Sequence, residues 1–241
     1  LEAIKAKEIT VHYQPVVSLE DGRLVGAEAL ARWQQADGRW LPPDLFIAVA
    51  EQTGVICQLT EHIVRCVFDD LGHWLSQHPE VTMSINITAA DLSSPTLPDL
   101  LRQQIQQWNV APTQIALELT ERDLIAPQTA RPVLQAYREM GHKVYIDDFG
   151  VGYSSLSYLQ ELEVDTLKID KAFVDALEHK VVTGHIIEIA KSLNLSMIAE
   201  GIETEHQRDW LRAHGVPAGQ GWLYSKALPK TEFILWAEKR L

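Results

Sequence analysis

Oxygen-bearing side chains recur where the predicted strands of this 241-residue chain end. The carboxyl ends of parallel strands meet at one edge of a sheet or barrel, so these side chains are expected to converge. Carboxylate and amide oxygens are the ligands that hard divalent cations such as Mg²⁺ and Mn²⁺ prefer. The pattern therefore predicts a metal site. Its members, drawn from six strands, are Glu28, Asn86, Glu118, Asp147, Asp170 and Glu200.

Two adjacent acids, Asp147 and Asp148, indicate more than one cation. In a regular strand, neighbouring side chains face opposite ways. Here the strand runs into Phe149-Gly150, where the chain can turn and aim both carboxylates at one site. Such a pair suits two metals, with one aspartate bridging them and its neighbour binding only the second.

Two basic residues accompany the acids. Lys168 shares a strand face with Asp170, and Arg32 shares one with Glu28, because residues two or four apart in a strand point the same way. A carboxylate and an arginine on one face can serve a metal and a phosphate together. Simpler interpretations exist for each: Asp170 could cap the next helix, and Lys168 could be a rim ion pair. Arg32 could lie over Trp33. The joint pattern favours a site.

The composition is that of an acidic globular protein, with 46% hydrophobic residues and a formal net charge of −12. Such a charge argues against a basic surface for nucleic acid, so no DNA or RNA duplex is expected as a partner. Cys57 and Cys66 are nine residues apart around a predicted helix, too far along its axis for a disulfide, so reduced thiols of the kind usual in the cytoplasm are expected. The sequence begins at Leu1 and shows no signal peptide, which suggests a piece of a longer protein.

Strands and helices alternate along the chain, and the alternation indicates an α/β protein with a parallel sheet. The number of repeats favours a closed barrel, read here as one continuous domain over residues 1–241. An opening hairpin breaks the alternation, so at least one strand should be antiparallel. Strands are predicted at 11–19, 24–33, 81–87, 114–120, 143–147, 166–170, 195–199 and near 218–221. Helices are predicted at 43–51, 59–77, 97–108, 128–140, 154–162, 183–193, 205–214 and from 231.

These motifs, in this order, resemble the EAL-domain family, whose fold is a modified TIM (β/α)8-like barrel with one antiparallel strand. The name motif is Glu28-Ala29-Leu30. The resemblance runs from about Tyr13 to Pro229, nearly the whole chain. The further motifs are Asn86, Glu118-Leu119-Thr120-Glu121, Asp147-Asp148-Phe149-Gly150, Lys168-Ile169-Asp170, Glu200-Gly201-Ile202-Glu203 and Gln220-Gly221.

The resemblance implies two metal sites with a shared ligand. The first metal would be bound by Glu28, Asn86, Glu118 and Asp147. The second would be bound by Asp147, Asp148 and Glu200. The expected ions are Mg²⁺ or Mn²⁺, and Ca²⁺ is expected to inhibit by binding without supporting turnover.

The resemblance also implies roles in catalysis and substrate binding. The expected catalytic residues are Glu28, Lys168, which would hold the attacking water, and Glu200, a candidate general base. Glu121 would order the loop at 150–155 and couple metal binding to dimerisation. The residues expected to line the substrate groove are Gln14, Leu30, Arg32, Asp170, Glu203 and Gln220.

The resemblance therefore implies a phosphodiesterase that hydrolyses cyclic di-GMP to linear pGpG. A homodimer, an upstream sensory region and a cytoplasmic location are expected, and this expectation is compatible with tethering of the full-length protein to the inner membrane. Two alternatives stay open. One is a cyclic di-GMP receptor without activity. The other, from the acids and the Lys168-x-Asp170 pattern alone, is an enolase-type enzyme that removes a proton next to a carboxylate.

Overall fold

An antiparallel hairpin opens the fold. In this computed structural model, which describes residues 1–124, 127–149, 162–177 and 182–241, β1 (Ile9–Ser18) pairs with β2 (Leu24–Gln34). The turn between them contains Gly22, whose φ of +74° suits a residue without Cβ. The hairpin is confirmed where the alternating pattern predicts it.

The hairpin closes a barrel of eight strands. β1 pairs antiparallel with both β2 and β9, and the other neighbours around the ring, from β2 through β4 to β9, pair parallel. Two short strands, β3 and β10, extend the sheet outside the ring. The barrel with one antiparallel strand is therefore confirmed. The strands after the hairpin are β3 (Trp40–Leu41), β4 (Thr82–Asn86), β5 (Ile115–Thr120), β6 (Lys143–Phe149), β7 (Thr166–Ile169), β8 (Ser196–Ala199), β9 (Ala218–Gly219) and β10 (Leu228–Pro229).

Helices cover the outside of the barrel and bury its apolar outer face. The longest, α3, packs on β1, where the hydroxyl of buried Tyr13 donates to Asp70 Oδ2 at 2.8 Å. The described helices are α1 (Glu2–Lys5), α2 (Pro43–Gln52), α3 (Ile56–Gln77), α4 (Ala89–Leu92), α5 (Leu97–Trp108), α6 (Pro127–Glu139), α7 (Lys171–Asp175), α8 (Val182–Ser192), α9 (Glu205–Ala213) and α10 (Lys230–Ala237).

The differences from the predicted elements are local. Both cysteines are free, as expected. The predicted helix at 154–162 lies outside the described residues but for its last position. Five short elements of the described residues, α1, α4, α7, β3 and β10, were not predicted because a turn of helix or a two-residue strand has too few positions to show a period. Among the described residues, no helix has the length and apolar character needed to cross a membrane.

Candidate active site

A buried lysine lies at the centre of the acids at the carboxyl end of the barrel. The Lys168 ammonium contacts Glu28 Oε2 at 3.2 Å, Asp147 Oδ1 at 3.3 Å and Glu200 Oε1 at 2.6 Å. It also donates a short hydrogen bond to Glu118. The four acids come from β2, β5, β6 and the residue after β8. The barrel thus brings together side chains that are up to 172 residues apart in sequence.

The cluster holds more negative than positive charge in a place with little water. Lys168 is 1% exposed and Glu118 is fully buried. Burial raises the pKa of Glu118 well above its ordinary value, and neighbouring Glu28 raises it further. Burial likewise raises the pKa of Glu200 to about 8. For Lys168, burial favours the neutral amine, but the carboxylates of Glu118 and Glu200 outweigh it and raise its pKa. Four acids around one ammonium favour binding of a proton or a further cation.

In Glu28, each carboxylate oxygen accepts a hydrogen bond from a side-chain amide. Its Oε1 accepts from the Asn86 amide at 3.0 Å, and its Oε2 accepts from Gln220 Nε2 at 2.7 Å. Burial opposes ionisation, but Lys168 and these two amides together hold the pKa of Glu28 below its usual range. The carboxylate is therefore ionised and oriented on both oxygens, as a metal ligand must be.

The main chain turns between the two adjacent aspartates. Asp148 has a φ of +52°, and the pairing of β6 with β7 shifts register between Ile146 and Phe149. The Asp148 N–H donates to Asp147 Oδ1 at 2.9 Å. This irregularity lets consecutive side chains share one side of the strand. Ligand atoms of Asp147, Asp148 and Glu200 lie within 4.8 Å of one another.

The donor set fits divalent cations. A second group of ligand atoms, from Glu28, Glu118 and Asp147, also lies within 4.8 Å, so Asp147 belongs to both groups. Glu118 Oε2 is buried and has no hydrogen-bond partner among the described residues. An acceptor left this way costs free energy unless something binds it. Oxygen donors in two groups with a shared carboxylate suit two hard cations.

A cavity of about 690 Å³ opens beside this cluster. Leu30, Arg32, Glu121 and Asp148 line it together with Glu28. Arg32 is half-buried, and its Nη1 donates to the Ala31 carbonyl at 2.9 Å. This cavity is large enough for a sizeable ligand. Its lining includes the Arg32 guanidinium, which interacts electrostatically with Glu28.

The other residues predicted to line a groove occupy different places. Gln14 lies directly opposite Glu28 in the β1–β2 register. Asp170 caps α7 by accepting from Ala172 N at 2.8 Å, and it also faces Asp148. Glu203 is paired with Lys171 at 2.7 Å. Gln220 is buried inside the cluster, where its amide bridges Glu28 and Glu200.

Two acids next to the site were not singled out from the sequence. Asp91 and Asp123 each follow a threonine by three residues, in Thr88-Ala89-Ala90-Asp91 and Thr120-Glu121-Arg122-Asp123. Their carboxylates accept hydrogen bonds from the main chain and hydroxyl of those threonines. The threonine-to-acid spacing resembles a capping box, and that signal could have found them.

Fold and site together define a TIM-barrel-like protein with an acidic cluster that could bind metal at the carboxyl ends of its strands. The EAL domain family model matches residues 1–227. The chain therefore belongs to the EAL domain family, and the resemblance drawn from its motifs is confirmed.

Relatives and solved structures are similar over nearly the whole chain. The probable cyclic di-GMP phosphodiesterase PdeB of Escherichia coli (strain K12) is 61% identical over 240 residues, 100% of this chain and 46% of that protein. The cyclic di-GMP phosphodiesterase PdeR of the same organism is 33% identical over 100% of this chain and 37% of its own length. The PaMucR phosphodiesterase in its c-di-GMP complex matches with a TM-score of 0.90, 32% identity and 96% coverage of both chains. The chain thus spans less than half the length of these two curated relatives.

Proposed function

We propose that this chain hydrolyses cyclic di-GMP to linear pGpG with the help of two divalent cations. The observation that carries the proposal is the Lys168 ammonium held among four carboxylates, beside a cavity that contains Arg32. The names of the relatives and the ligand of the PaMucR structure support the choice of substrate. The proposal covers this barrel, one domain over residues 1–241, within a longer protein.

The oxygen donors described above would hold the cations. The first ion would be held by Glu28, Asn86, Glu118 and Asp147. The second would be held by Asp147, Asp148 and Glu200. Mg²⁺ or Mn²⁺ bound there would stabilise developing charge on the phosphate and lower the pKa of a water. Ca²⁺ is larger and less demanding in geometry, so it should bind and support little turnover.

The protein's own residues would orient the reactants. Lys168 would hold the attacking water, Gln220 would keep Glu28 and Glu200 in place, and Arg32 would neutralise phosphate charge. Glu28 and Glu200 complete the proposed catalytic set, with Glu200 able to accept a proton. The water oxygen bonds to one phosphorus, the bond to the 3′ oxygen breaks, and that oxygen takes up a proton. Substrate would also contact Gln14, Leu30, Asp170, Glu203 and Gln220.

Regulation and assembly extend the proposal. Glu121 lines the cavity next to Asp148 and would order the loop at 150–155, which lies outside the described residues. Ordering of that loop would couple metal binding to formation of a homodimer. We further propose an upstream sensory region in the full protein and a cytoplasmic location; the relatives PdeB and PdeR are more than twice as long as this chain, which leaves room for such a region.

The test is incubation of the purified chain with cyclic di-GMP and Mg²⁺ or Mn²⁺, with products followed by chromatography. We expect metal-dependent pGpG that disappears with a chelator. Glu28→Ala should abolish hydrolysis, whereas Glu80→Ala, an exposed acid at the other end of the barrel, should not. Tight binding of cyclic di-GMP without cleavage would instead identify a receptor. Turnover of a carboxylate substrate with cyclic di-GMP untouched would favour the enolase-type alternative.

A further inference from the structure

Asp123 joins two of the loops at the carboxyl end of the barrel. Its Oδ1 accepts from the Ala89 N–H at 2.9 Å. Its Oδ2 accepts from the Thr120 N–H at 3.1 Å and from the Thr120 hydroxyl at 2.5 Å. Ala89 begins the helix after β4, and Thr120 ends β5. One carboxylate therefore spans the loops that follow two neighbouring strands.

This contact continues the β4–β5 ladder past the ends of the strands. The parallel pairing brings Asn86 opposite Glu118, and the last main-chain bond runs from the Ile87 N–H to the Glu118 carbonyl at 2.8 Å. Beyond this bond the segments that follow β4 and β5 diverge, and their N–H groups need other acceptors. Asp123 supplies that acceptor on both sides, so the loops stay in register.

The β4 side of this connection is itself anchored. Asp91 is 1% exposed, and its Oδ2 accepts from the Thr88 N–H at 2.8 Å and the Thr88 hydroxyl at 2.9 Å. The same oxygen accepts from the Thr60 hydroxyl of α3 at 3.0 Å. The segment that begins at Ala89, to which Asp123 is hydrogen-bonded, is thus also bonded to α3. This second attachment restricts its movement, so a hydrogen bond from Asp123 to it also restricts the position of the β5 loop.

The residues on either side of the connection belong to the candidate site. Asn86 lies three positions before Ala89, and Glu118 lies two before Thr120. Glu121 lies between Thr120 and Asp123 and lines the same cavity as Asn86. A movement of one loop against the other would change the separation of the Asn86 and Glu118 oxygens.

We propose that Asp123 is a positioning residue for the first cation: it holds the Asn86 and Glu118 segments at the separation that a divalent ion needs. The inference rests on the proposed function for its metal, and among the described residues the hydrogen bonds of Asp123 go to Ala89 and Thr120 and not to a ligand of the cluster. Groups that orient metal ligands change metal affinity by about 10- to 100-fold when removed. If Asp123 only satisfied main-chain N–H groups, its removal would lower the stability of the fold and leave the affinity for the metal unchanged.

The test compares Asp123→Ala and Asp123→Asn with Asp99→Asn, an exposed acid on α5. Mn²⁺ binding is measured by calorimetry without substrate, and the half-saturating Mn²⁺ for hydrolysis is measured separately. We expect Asp123→Ala to weaken Mn²⁺ binding by about tenfold, with kcat recovered at saturating Mn²⁺. Asp123→Asn keeps one acceptor oxygen and should lie between Asp123→Ala and the wild type.

Thermal unfolding in chelator separates the two roles. A lower melting temperature for Asp123→Ala with unchanged Mn²⁺ affinity would overturn the inference. If Asp123→Ala does not fold, Thr120→Val removes one donor to the carboxylate and should weaken Mn²⁺ binding in the same direction. Unchanged affinity in both Thr120→Val and Asp123→Asn would also overturn it. A wild type that binds Mn²⁺ but leaves cyclic di-GMP intact would refute the proposed function, while the calorimetry still tests Asp123.

Discussion

Two layers of side chains point into the barrel, and they differ sharply in charge. The upper layer, at the carboxyl ends of the strands, contains the acids and Lys168. The lower layer lies two residues earlier on the same strands, so its side chains point the same way. It consists of Gly26, Ser84, Ala116, Tyr145, Thr166, Ile198 and Ala218. None of these carries a charge, and Ala116, Tyr145 and Ile198 form an apolar cluster with Val16.

The contrast shows that one set of strands serves two kinds of stabilisation. The upper layer depends on compensation between buried charges, because ions without partners are costly in a site with little water. The lower layer depends on packing, and it is loosely filled. A cavity of about 490 Å³ enters from the amino end, and its lining reaches Lys168 and Gln220. Removal of a charge should therefore have a large effect in the upper layer, and removal of a side-chain atom should have a small effect in the lower layer.

Lys168→Met gives the largest expected effect. It removes the ammonium shared by four carboxylates, and loss of one partner from a buried ion pair costs about 3–5 kcal/mol. Urea unfolding in chelator measures the loss, and added Mn²⁺ should stabilise the variant more than the wild type. Lys143→Met, at the amino end of the barrel, is the matched control and should change stability by less than about 1 kcal/mol. Equal stability of both variants in chelator would contradict charge compensation.

Gly221→Ala tests main-chain packing next to the upper layer without changing its charge. A Cβ at Gly221 would lie 2.2 Å from both the N and O atoms of Ile202, so the strand end must shift. Overpacking of this kind costs about 1–3 kcal/mol. Thermal unfolding measures it, and Gly184→Ala on α8, where a Cβ meets nothing within 4 Å, is the control. The control substitution should raise the free energy of unfolding by about 0.5–1 kcal/mol. An unchanged melting temperature for Gly221→Ala would show that the main chain around Ile202 moves aside without cost.

His142 makes stability depend on pH at the amino end of the barrel. Its Nδ1 donates to the Ile115 carbonyl at 3.0 Å, and its buried Nε2 has no partner among the described residues. Burial lowers the pKa of His142. As pH falls below about 6.5, the unfolded chain takes up a proton that the folded protein refuses, so stability falls by about 1.4 kcal/mol per pH unit until the folded pKa is reached.

Urea unfolding of the wild type and His142→Leu at pH 7 and pH 5 measures how much of the pH-dependent loss of stability comes from His142. The variant lacks the imidazole, so its stability should fall less between the two pH values. His185→Leu, an exposed histidine on α8, is the control and should behave like the wild type. The same pH dependence in wild type and His142→Leu would show that the imidazole is not responsible.

Ser84→Ala gives the smallest expected effect, because it alters the lower layer beside the cavity. Loss of one hydroxyl next to open space should change the free energy of unfolding by less than about 1 kcal/mol. Hydrolysis of cyclic di-GMP should stay near the wild-type rate. A large loss of activity in a folded Ser84→Ala protein would mean that the two layers are coupled, and it would contradict the assignment of separate roles to them.

Much of the fold could be predicted because its elements are long and periodic. The hairpin and α5 (Leu97–Trp108) lie where the pattern predicts them, since an apolar face must be buried. The short helices α4 and α7 lack enough residues for a period. Asp170 illustrates the limit within the site: its type suited both a helix cap and a site residue. The structure shows that it caps α7 and also faces Asp148.

The sequence by itself determined which residues end each strand, and therefore which acids gather at one rim of the barrel. Strand periodicity is local, and carboxyl ends of parallel strands share an edge whatever the details. Only the tertiary structure decided which acids share Lys168, that Gln220 lies between Glu28 and Glu200, and that Asp123 bridges two loops. Those contacts join residues distant in the chain, and their geometry depends on how the closed barrel brings its strands side by side.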